Sequence, residues 1–343
     1  MTGANESPGP DPRPPETGVG ALPAPPLLRA DDLSVEVTRR PSAPPVRVVE
    51  GVTLTVTESE TLALVGESGC GKTTTALGIL RLLPTSMRLH GSVWLADREL
   101  TRMTEGEMQR VRGKELAMVF QDPAAALNPC YTVGEQIAEG LRYHERLTQR
   151  AAWEQAVSLL AEVGLPDAVS WARAYPHQMS GGMRQRALFA TAIACRPRVL
   201  IADEPTAALD LTRRGQVVAL LNGLRVARRL ALLLISHDLT AVAGLADRVA
   251  VMYAGQIVEQ TDVHTFFAGP KHPYSQALLA ATARLADCAE VVDRPSARPS
   301  TSEGCRYAAT CPQVAAECQT PQQLLVLRPG HAVRCWRAAE ARE

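Results

Sequence analysis

The chain has 343 residues, 46% of them apolar, and its 36 basic and 36 acidic side chains cancel. That length and apolar content suffice for one large domain or two smaller ones with a real core, so a globular protein is expected. The balanced charge removes the electrostatic argument for a nucleic-acid or polyanion partner, and apolar runs such as 199–202 and 230–235 fall far short of the roughly 20 residues a membrane-spanning helix needs.

Residues 1–26 are crowded with Pro, Gly, Glu and Asp and show neither the basic nor the apolar region of a secretory signal, so a disordered tail is expected there. Eight cysteines without such a signal point to a reducing cytoplasm, where thiols are buried residues, metal ligands or catalysts rather than disulfides. From 27 to 260 short apolar runs alternate with longer amphipathic segments, the pattern of an α/β domain with a mostly parallel sheet. Residues 52–56 and 61–65 read as strands. A glycine-rich turn follows at 66–71, then a helix predicted over 72–83 that stops at Pro84. Between Asp122 and Gln185 the apolar spacing is helical, clearest over 135–147 and 151–163, which predicts a helical insertion on the sheet domain. The runs 199–202 and 232–236 read as strands buried on both faces. After Thr261 the pattern changes: 271–286 reads as a helix, 294–302 as a Pro/Ser/Arg-rich linker, and a cysteine-bearing tail completes a C-terminal extension over 261–343.

Gly66-Glu-Ser-Gly-Cys-Gly-Lys72-Thr73 fits G-x-x-x-x-G-K-[ST] between a predicted strand and a predicted helix, the context that identifies a phosphate-binding loop. Gly66, Gly69 and Gly71 let the backbone bend so that successive N–H groups, with those of Ser68 and Cys70, point inward toward a polyphosphate at a helix N-terminus. Cys70 fills a variable position of this cradle. Lys72 is expected to reach the β- and γ-phosphates of ATP, Thr73 to offer its hydroxyl to Mg²⁺, and Thr74 to donate near the α-phosphate. A chance glycine turn before a helix is the plain alternative. The run 199–202 leads into Asp203 and Glu204. An acidic pair alone is most often a solvated strand end, but beside such a loop the first carboxylate suits Mg²⁺ and the second suits polarising the attacking water.

The segment Met179-Ser180-Gly181-Gly182-Met183-Arg184-Gln185 resembles the signature of ABC ATPases. The resemblance continues in chain order: Gln121 in Phe-Gln-Asp-Pro is similar to the Q-loop, Ala208-Leu209-Asp210 to the D-loop, and His237 in Ser-His-Asp to the switch histidine. Singly, Gln121 reads as a surface amide and His237 as a strand-end histidine. The resemblance implies that Ser180, Gly181 and Gly182 cap the γ-phosphate held by a second ATPase subunit, that Gln121 senses Mg²⁺ and γ-phosphate, and that His237 orients the water. Members of that family stack adenine on an early aromatic residue. None occurs between Leu33 and Val49, so Val37 takes that place or Arg39 or Arg47 supplies the contact.

Phe120-Gln-Asp-Pro with Leu127-Asn-Pro, Tyr175-Pro-His-Gln and Lys271-His-Pro-Tyr resemble one subfamily, the ATP-binding subunits of oligopeptide, dipeptide and nickel importers, over about Leu27 to the C-terminus. The last four cysteines, Cys305, Cys311, Cys318 and Cys335, are separated by five, six and sixteen residues. Four thiolates suit zinc or an iron–sulfur cluster; zinc sites usually use tighter knuckles, and free thiols or two disulfides stay open. The subfamily resemblance implies a four-iron four-sulfur cluster there. Such a group would staple a tail with little beyond Tyr307, Val314, Leu324, Leu325 and Trp336 to bury, with a redox sensor as the other reading. Cys130, Cys195 and Cys288 read as packed or surface residues.

The resemblance therefore implies an ATP-hydrolysing importer subunit on the cytoplasmic face of a membrane. Its expected partners are a related but distinct ATPase subunit in a heterodimer, two membrane permease subunits and an extracytoplasmic solute-binding protein. Peptides are the expected cargo, with nickel second. A soluble ABC ATPase acting on ribosomes or DNA usually carries two cassettes or a long coiled coil, and a regulatory iron–sulfur module would not need Lys72, Asp203, Glu204 and His237.

Overall fold

The computed structural model describes residues 25–38, 44–207, 210–286 and 304–340. The first part contains β1 (Leu28–Val37), β2 (Val46–Val56), β3 (Thr61–Val65), α1 (Lys72–Ile79), β4 (Met87–Leu95), β5 (Arg98–Glu99), α2 (Glu105–Val111) and β6 (Leu116–Val119). A helical stretch follows: α3 (Pro123–Ala126), α4 (Val133–Glu145), α5 (Gln149–Glu162), α6 (Ala168–Arg173) and α7 (Gly181–Ile193). Then come β7 (Val199–Asp203), α8 (Leu211–Arg228), β8 (Ala231–Ser236), α9 (Leu239–Leu245), β9 (Arg248–Tyr253), β10 (Gln256–Asp262), α10 (Val263–Ala268) and α11 (Pro273–Ala286). The last described segment carries β11 (Leu325–Arg328), β12 (His331–Val333) and α12 (Trp336–Glu340). Residues 1–24 of the expected tail, Arg39, Ala208, Leu209, Cys288 and the linker over 294–302 lie outside the described residues.

The main sheet has the order β11-β12-β10-β9-β3-β8-β7-β6. Its centre, β9-β3-β8-β7-β6, is parallel, as the apolar runs predict. Every residue of β3, β7 and β8 is buried, which explains why these strands read as continuous apolar runs without alternation. Parallel pairing also aligns their ends: Val65 lies opposite Ser236 and Asp203 opposite Ile235. The loops after β3, β7 and β8 therefore leave one edge of the sheet together, where ligands of open α/β sheets bind.

A second sheet, β2-β1-β4-β5, is antiparallel. The expected strand at 52–56 is only the end of the 11-residue β2. Inward residues Leu28, Ala30, Leu33 and Val35 of β1 are buried, but register shifts between Ala30 and Leu33 and between Leu33 and Val35 break the two-residue period that would have marked the strand.

The helices begin at their caps rather than at their first apolar residue. The Thr132 hydroxyl accepts from the Glu135 N–H, and the Glu135 carboxylate accepts in return from the Thr132 N–H, so α4 starts two residues before the spacing predicted. The Thr148 hydroxyl accepts from the Ala151 N–H, without a return bond, and starts α5 two residues early as well. Helix α1 stops at Ile79, short of the predicted 83, because Arg81 turns into the left-handed region (φ 53°) and the Leu82 N–H bonds back to Leu77 O at 2.8 Å. Helix α11 starts at Pro273 rather than Lys271, since Pro lacks the N–H that a first helical position leaves free anyway. Helices α3 to α7 form the inserted helical layer, with α7 packed on α3, α4, α5 and β6. No described helix is long and apolar enough to cross a membrane.

The C-terminal extension joins the main body. β12 pairs with β10 (Glu259 opposite Val333), and Tyr307, Cys305 and Cys311 pack into the main core. Val314, expected to help bury the tail, is exposed.

Candidate active site

The turn after β3 is shaped by close backbone approach. A Cβ on Gly66 (φ 154°) would stand 2.2 Å from Met252 O, so this position accepts only glycine without displacing β9. Gly71 (φ 111°) precedes α1, and no side chain caps that helix. The N–H groups of its first turn are consequently available to an anion, and the loop at Glu67, Ser68 and Gly69 is solvent-exposed. Lys72 is buried beneath the loop, where its Nζ donates to Gly66 O (2.7 Å) and Glu67 O (2.9 Å) and lies 3.9 Å from Glu204 Oε1. Thr73 donates through Oγ1 to Asp203 Oδ1 at 3.2 Å, while Thr74 is half-buried on the next position. Cys70 lies 4.0 Å from Lys72 Nζ, and burial pushes its thiol pKa up.

Asp203 and Glu204 end β7 inside the protein, with 1% and 7% exposure, so they are not a solvated strand end. Burial raises the Asp203 carboxyl above its ordinary range, against the opposing hydrogen bond from Thr73. A bound cation at this position would reverse that balance. Glu204 occupies a left-handed backbone conformation (φ 48°), held by its N–H to Ile235 O (2.9 Å) and by the Ala207 N–H to its carbonyl (3.0 Å). That turn swings the carboxylate toward β8, where Oε2 meets His237 Nδ1 at 2.7 Å. Lys72, Thr73, Asp203, Glu204 and His237 thus form one constellation at the shared sheet edge: a cation, a hydroxyl–carboxylate pair and a carboxylate–imidazole pair around an open backbone cradle.

The remaining predicted residues lie around this centre. Gln121 is exposed two residues past β6, the strand beside β7. Ser180 caps α7, its hydroxyl accepting from the Met183 N–H at 3.4 Å, and Gly181 is exposed on the helix's first turn. Asp210 caps α8, accepting from the Arg213 N–H at 2.9 Å; the two residues before it lie outside the described ones. At the expected adenine position Val37 ends β1 half-buried, and Arg47 is turned to Glu36 (3.0 Å) and Glu50 (3.9 Å).

Cys305, Cys311, Cys318 and Cys335 converge on one small pocket, completed by His272, Tyr307 and Trp336. None of the seven described cysteines forms a disulfide, so the two-disulfide alternative is not the observed state. Gly304 permits the fold here, since a Cβ on it would meet Cys318 O at 2.3 Å. The Cys305 N–H donates to the same carbonyl (2.8 Å) and Trp336 Nε1 donates to Cys318 Sγ (3.2 Å). Burial raises the thiol pKa values of Cys305, Cys311 and Cys335, and repulsion from neighbouring cysteines in their thiolate form adds to it. Burial also pushes His272 down to about 4, in keeping with its Nδ1 accepting the Tyr274 N–H at 3.1 Å. Among the described residues no group of three or more His, Cys, Asp or Glu side chains is arranged to hold a metal ion.

The sequence reading missed the supports behind the cradle. The Gly255 N–H donates to Cys70 O at 2.8 Å, and the Glu67 N–H donates to the Tyr274 hydroxyl at 3.0 Å. Tyr274 lies in the Lys271-His-Pro-Tyr segment, where the sequence alone shows only an aromatic residue near a helix start.

Comparison with known proteins accords with this geometry. Residues 49–207 match the family described as ABC transporter, and residues 258–318 the family described as oligopeptide/dipeptide transporter, C-terminal region. A probable peptide ABC transporter ATP-binding protein of Sinorhizobium fredii is 44% identical over 302 residues, 86% of this chain and 90% of that protein. The oligopeptide transport ATP-binding protein of Bacillus subtilis is 41% identical and the dipeptide transport ATP-binding protein of Escherichia coli 42%, each over 90% of this chain and 96% of the relative. Among solved structures, a dimeric bacterial ABC transporter cassette superposes with a TM-score of 0.61 at 23% identity, covering 69% of this chain and 98% of the cassette. A Clostridium perfringens component of an ABC transporter complex gives 0.60 at 21% identity, covering 76% and 95%; these two likenesses concern the fold. The chain belongs to the family of ABC transporter ATP-binding proteins, an ATPase class, and carries the oligopeptide/dipeptide transporter C-terminal region.

Proposed function

We propose that this chain is the ATP-hydrolysing subunit of an importer that takes up peptides. It works on the cytoplasmic face of a membrane with two permease subunits, a second and distinct ATPase subunit, and an extracytoplasmic solute-binding protein. The observation that carries the hydrolytic part is the His237–Glu204–Lys72 arrangement at the mouth of the cradle, with Glu204 Oε2 2.7 Å from His237 Nδ1. Residues 27–260 form the ATPase domain, with 122–185 as its helical subdomain, and 261–343 the C-terminal extension.

In this reading the N–H groups of Gly66 and of residues 68–74 hold the polyphosphate of ATP, and Lys72 leaves Gly66 O and Glu67 O to meet its β- and γ-phosphates. Thr73 and Asp203 would hold Mg²⁺, which would supply positive charge to the phosphates. Glu204 polarises the attacking water, His237 orients it and contacts the γ-phosphate, and Gln121 reports the occupied site to the helical layer. Ser180 and Gly181, exposed at the start of α7, and the half-buried Gly182 cap the γ-phosphate bound by the partner ATPase, and Asp210 faces the same junction. Closure of two cassettes over nucleotide, and its reversal after hydrolysis, drives the permeases.

The four cysteines fit an iron–sulfur cluster better than zinc. They converge on one pocket, and their sequence spacing of five, six and sixteen residues lacks the tight knuckles of structural zinc sites. Cys305, Cys311, Cys318 and Cys335 would hold a four-iron four-sulfur cluster, which supplies a cross-link for residues 304–340; no step of hydrolysis passes through it.

The test is hydrolysis of MgATP by the purified chain and by its Glu204→Gln variant. Turnover should fall by at least about a hundredfold in the variant while nucleotide binding persists, the range for loss of a positioned general base. Equal turnover in both proteins would remove Glu204 from this role.

A further inference from the structure

The cysteine-bearing extension is built into the back of the nucleotide cradle. Three contacts hold the loop from the side away from the phosphate site. Met252 O lies against Gly66, the Gly255 N–H donates to Cys70 O (2.8 Å), and the Glu67 N–H donates to the Tyr274 hydroxyl (3.0 Å). The first comes from β9, the second from the β9–β10 turn and the third from α11. The four-cysteine segment reaches the turn and the helix. Tyr307, two residues after Cys305, lies 5.4 Å ring to ring from Tyr274 and 5.2 Å from Tyr253, while Tyr253 and Tyr274 are 4.5 Å apart, so the three rings close a triangle. Arg306 donates to Ala254 O inside the β9–β10 turn and pairs with Glu50, whose N–H in turn donates to Gly255 O at 2.8 Å.

We propose that Tyr274 and Arg306 are positioning residues for the nucleotide site, through which the packing of the four-cysteine segment sets how tightly the cradle holds ATP. The argument rests on the reading of residues 66–74 as the ATP site. Phosphate affinity depends on several N–H groups pointing inward at once, so a loop free to rotate at Glu67 or Cys70 must be ordered again at each binding event. Tyr274 fixes the first of these peptide units and Arg306 the turn that fixes the second. Neither side chain reaches the constellation of Lys72, Asp203, Glu204 and His237 by any observed hydrogen bond or ion pair, so their effect falls on binding rather than on the hydrolytic step.

The experiment measures, on the full-length chain, the Kd of a fluorescent ATP analogue and the KM and kcat of hydrolysis for the parent, Tyr274→Phe and Arg306→Gln. Tyr274→Phe keeps the ring and removes one hydroxyl. We expect Kd and KM to rise about five- to tenfold, the usual worth of one hydrogen bond, with kcat within about twofold of the parent. Arg306→Gln should shift the same two constants in the same direction, which keeps the proposal testable if the tyrosine variant folds poorly. A lower melting temperature with unchanged Kd in both variants would make the contacts merely structural and overturn the proposal. A parent chain that binds no nucleotide would instead overturn the assignment of the ATP site itself, and this inference with it.

Discussion

Glu204 sits in a left-handed backbone region and Gly66 in one that only glycine takes without a clash, and both lie at the turns that build the site. An alanine at position 66 must push its Cβ away from Met252 O, 2.2 Å off, and a backbone oxygen on a buried strand cannot yield cheaply. Gly66→Ala should cost about 3 kcal/mol or more and abolish nucleotide binding, measured by thermal melting with and without MgATP. Cysteine chemistry separates in the same way. Burial pushes Cys195 up to about 11, whereas Cys130 is exposed. Because the thiolate is the reactive form, at pH 8 about one Cys195 in a thousand is reactive. Iodoacetamide should label Cys130 first, and Cys195 only as the pH climbs toward 11; prompt labelling of Cys195 at pH 8 would contradict its burial. At this scale the sequence was most legible, since motif spacing located the loop and the acidic pair, and the family resemblance pointed to His237. The 2.7 Å Glu204–His237 contact was not readable, because it depends on how two parallel strands end beside each other.

Strand β10 carries Glu259, wholly buried, whose carboxylate accepts the N–H groups of Lys271 (2.7 Å) and His272 (3.0 Å) and lies 2.9 Å from His331 Nε2. One side chain therefore fastens the start of α11 and the strand β12 to the main sheet. Glu259→Ala leaves two buried polar partners, the His272 N–H and the His331 ring, unsatisfied and should cost about 3–5 kcal/mol, the range for breaking a buried pair. Limited proteolysis should then cut within residues 304–340 before the sheet domain is attacked; cleavage unchanged from the parent would show that the extension is held elsewhere. Elements were unevenly legible. The buried parallel strands announced themselves as apolar runs. The antiparallel sheet hid behind its register shifts, and the helix starts moved to Thr132 and Thr148, whose caps outweighed the apolar spacing.

At the scale of the molecule, the two halves of the ATPase chemistry sit on different layers. The cradle and its acids lie at the edge of the main sheet, and Ser180 to Gly182 on the helical layer, so the proposed reaction joins two cassettes. Pairing between chains leaves no trace in one sequence beyond a motif resemblance, and the fold of the cysteine segment depends on β12 finding β10 across more than 70 positions. Anaerobically purified protein should contain about four irons and four sulfides per chain, lost in Cys305→Ser; zinc in their place would contradict the cluster. The most direct test of the whole account is uptake of a labelled short peptide by cells that depend on this chain for that transport. Cells with the parent protein should accumulate peptide, and cells with equal amounts of Glu204→Gln should not. Equal accumulation in both would contradict the claim that hydrolysis at this site powers peptide import.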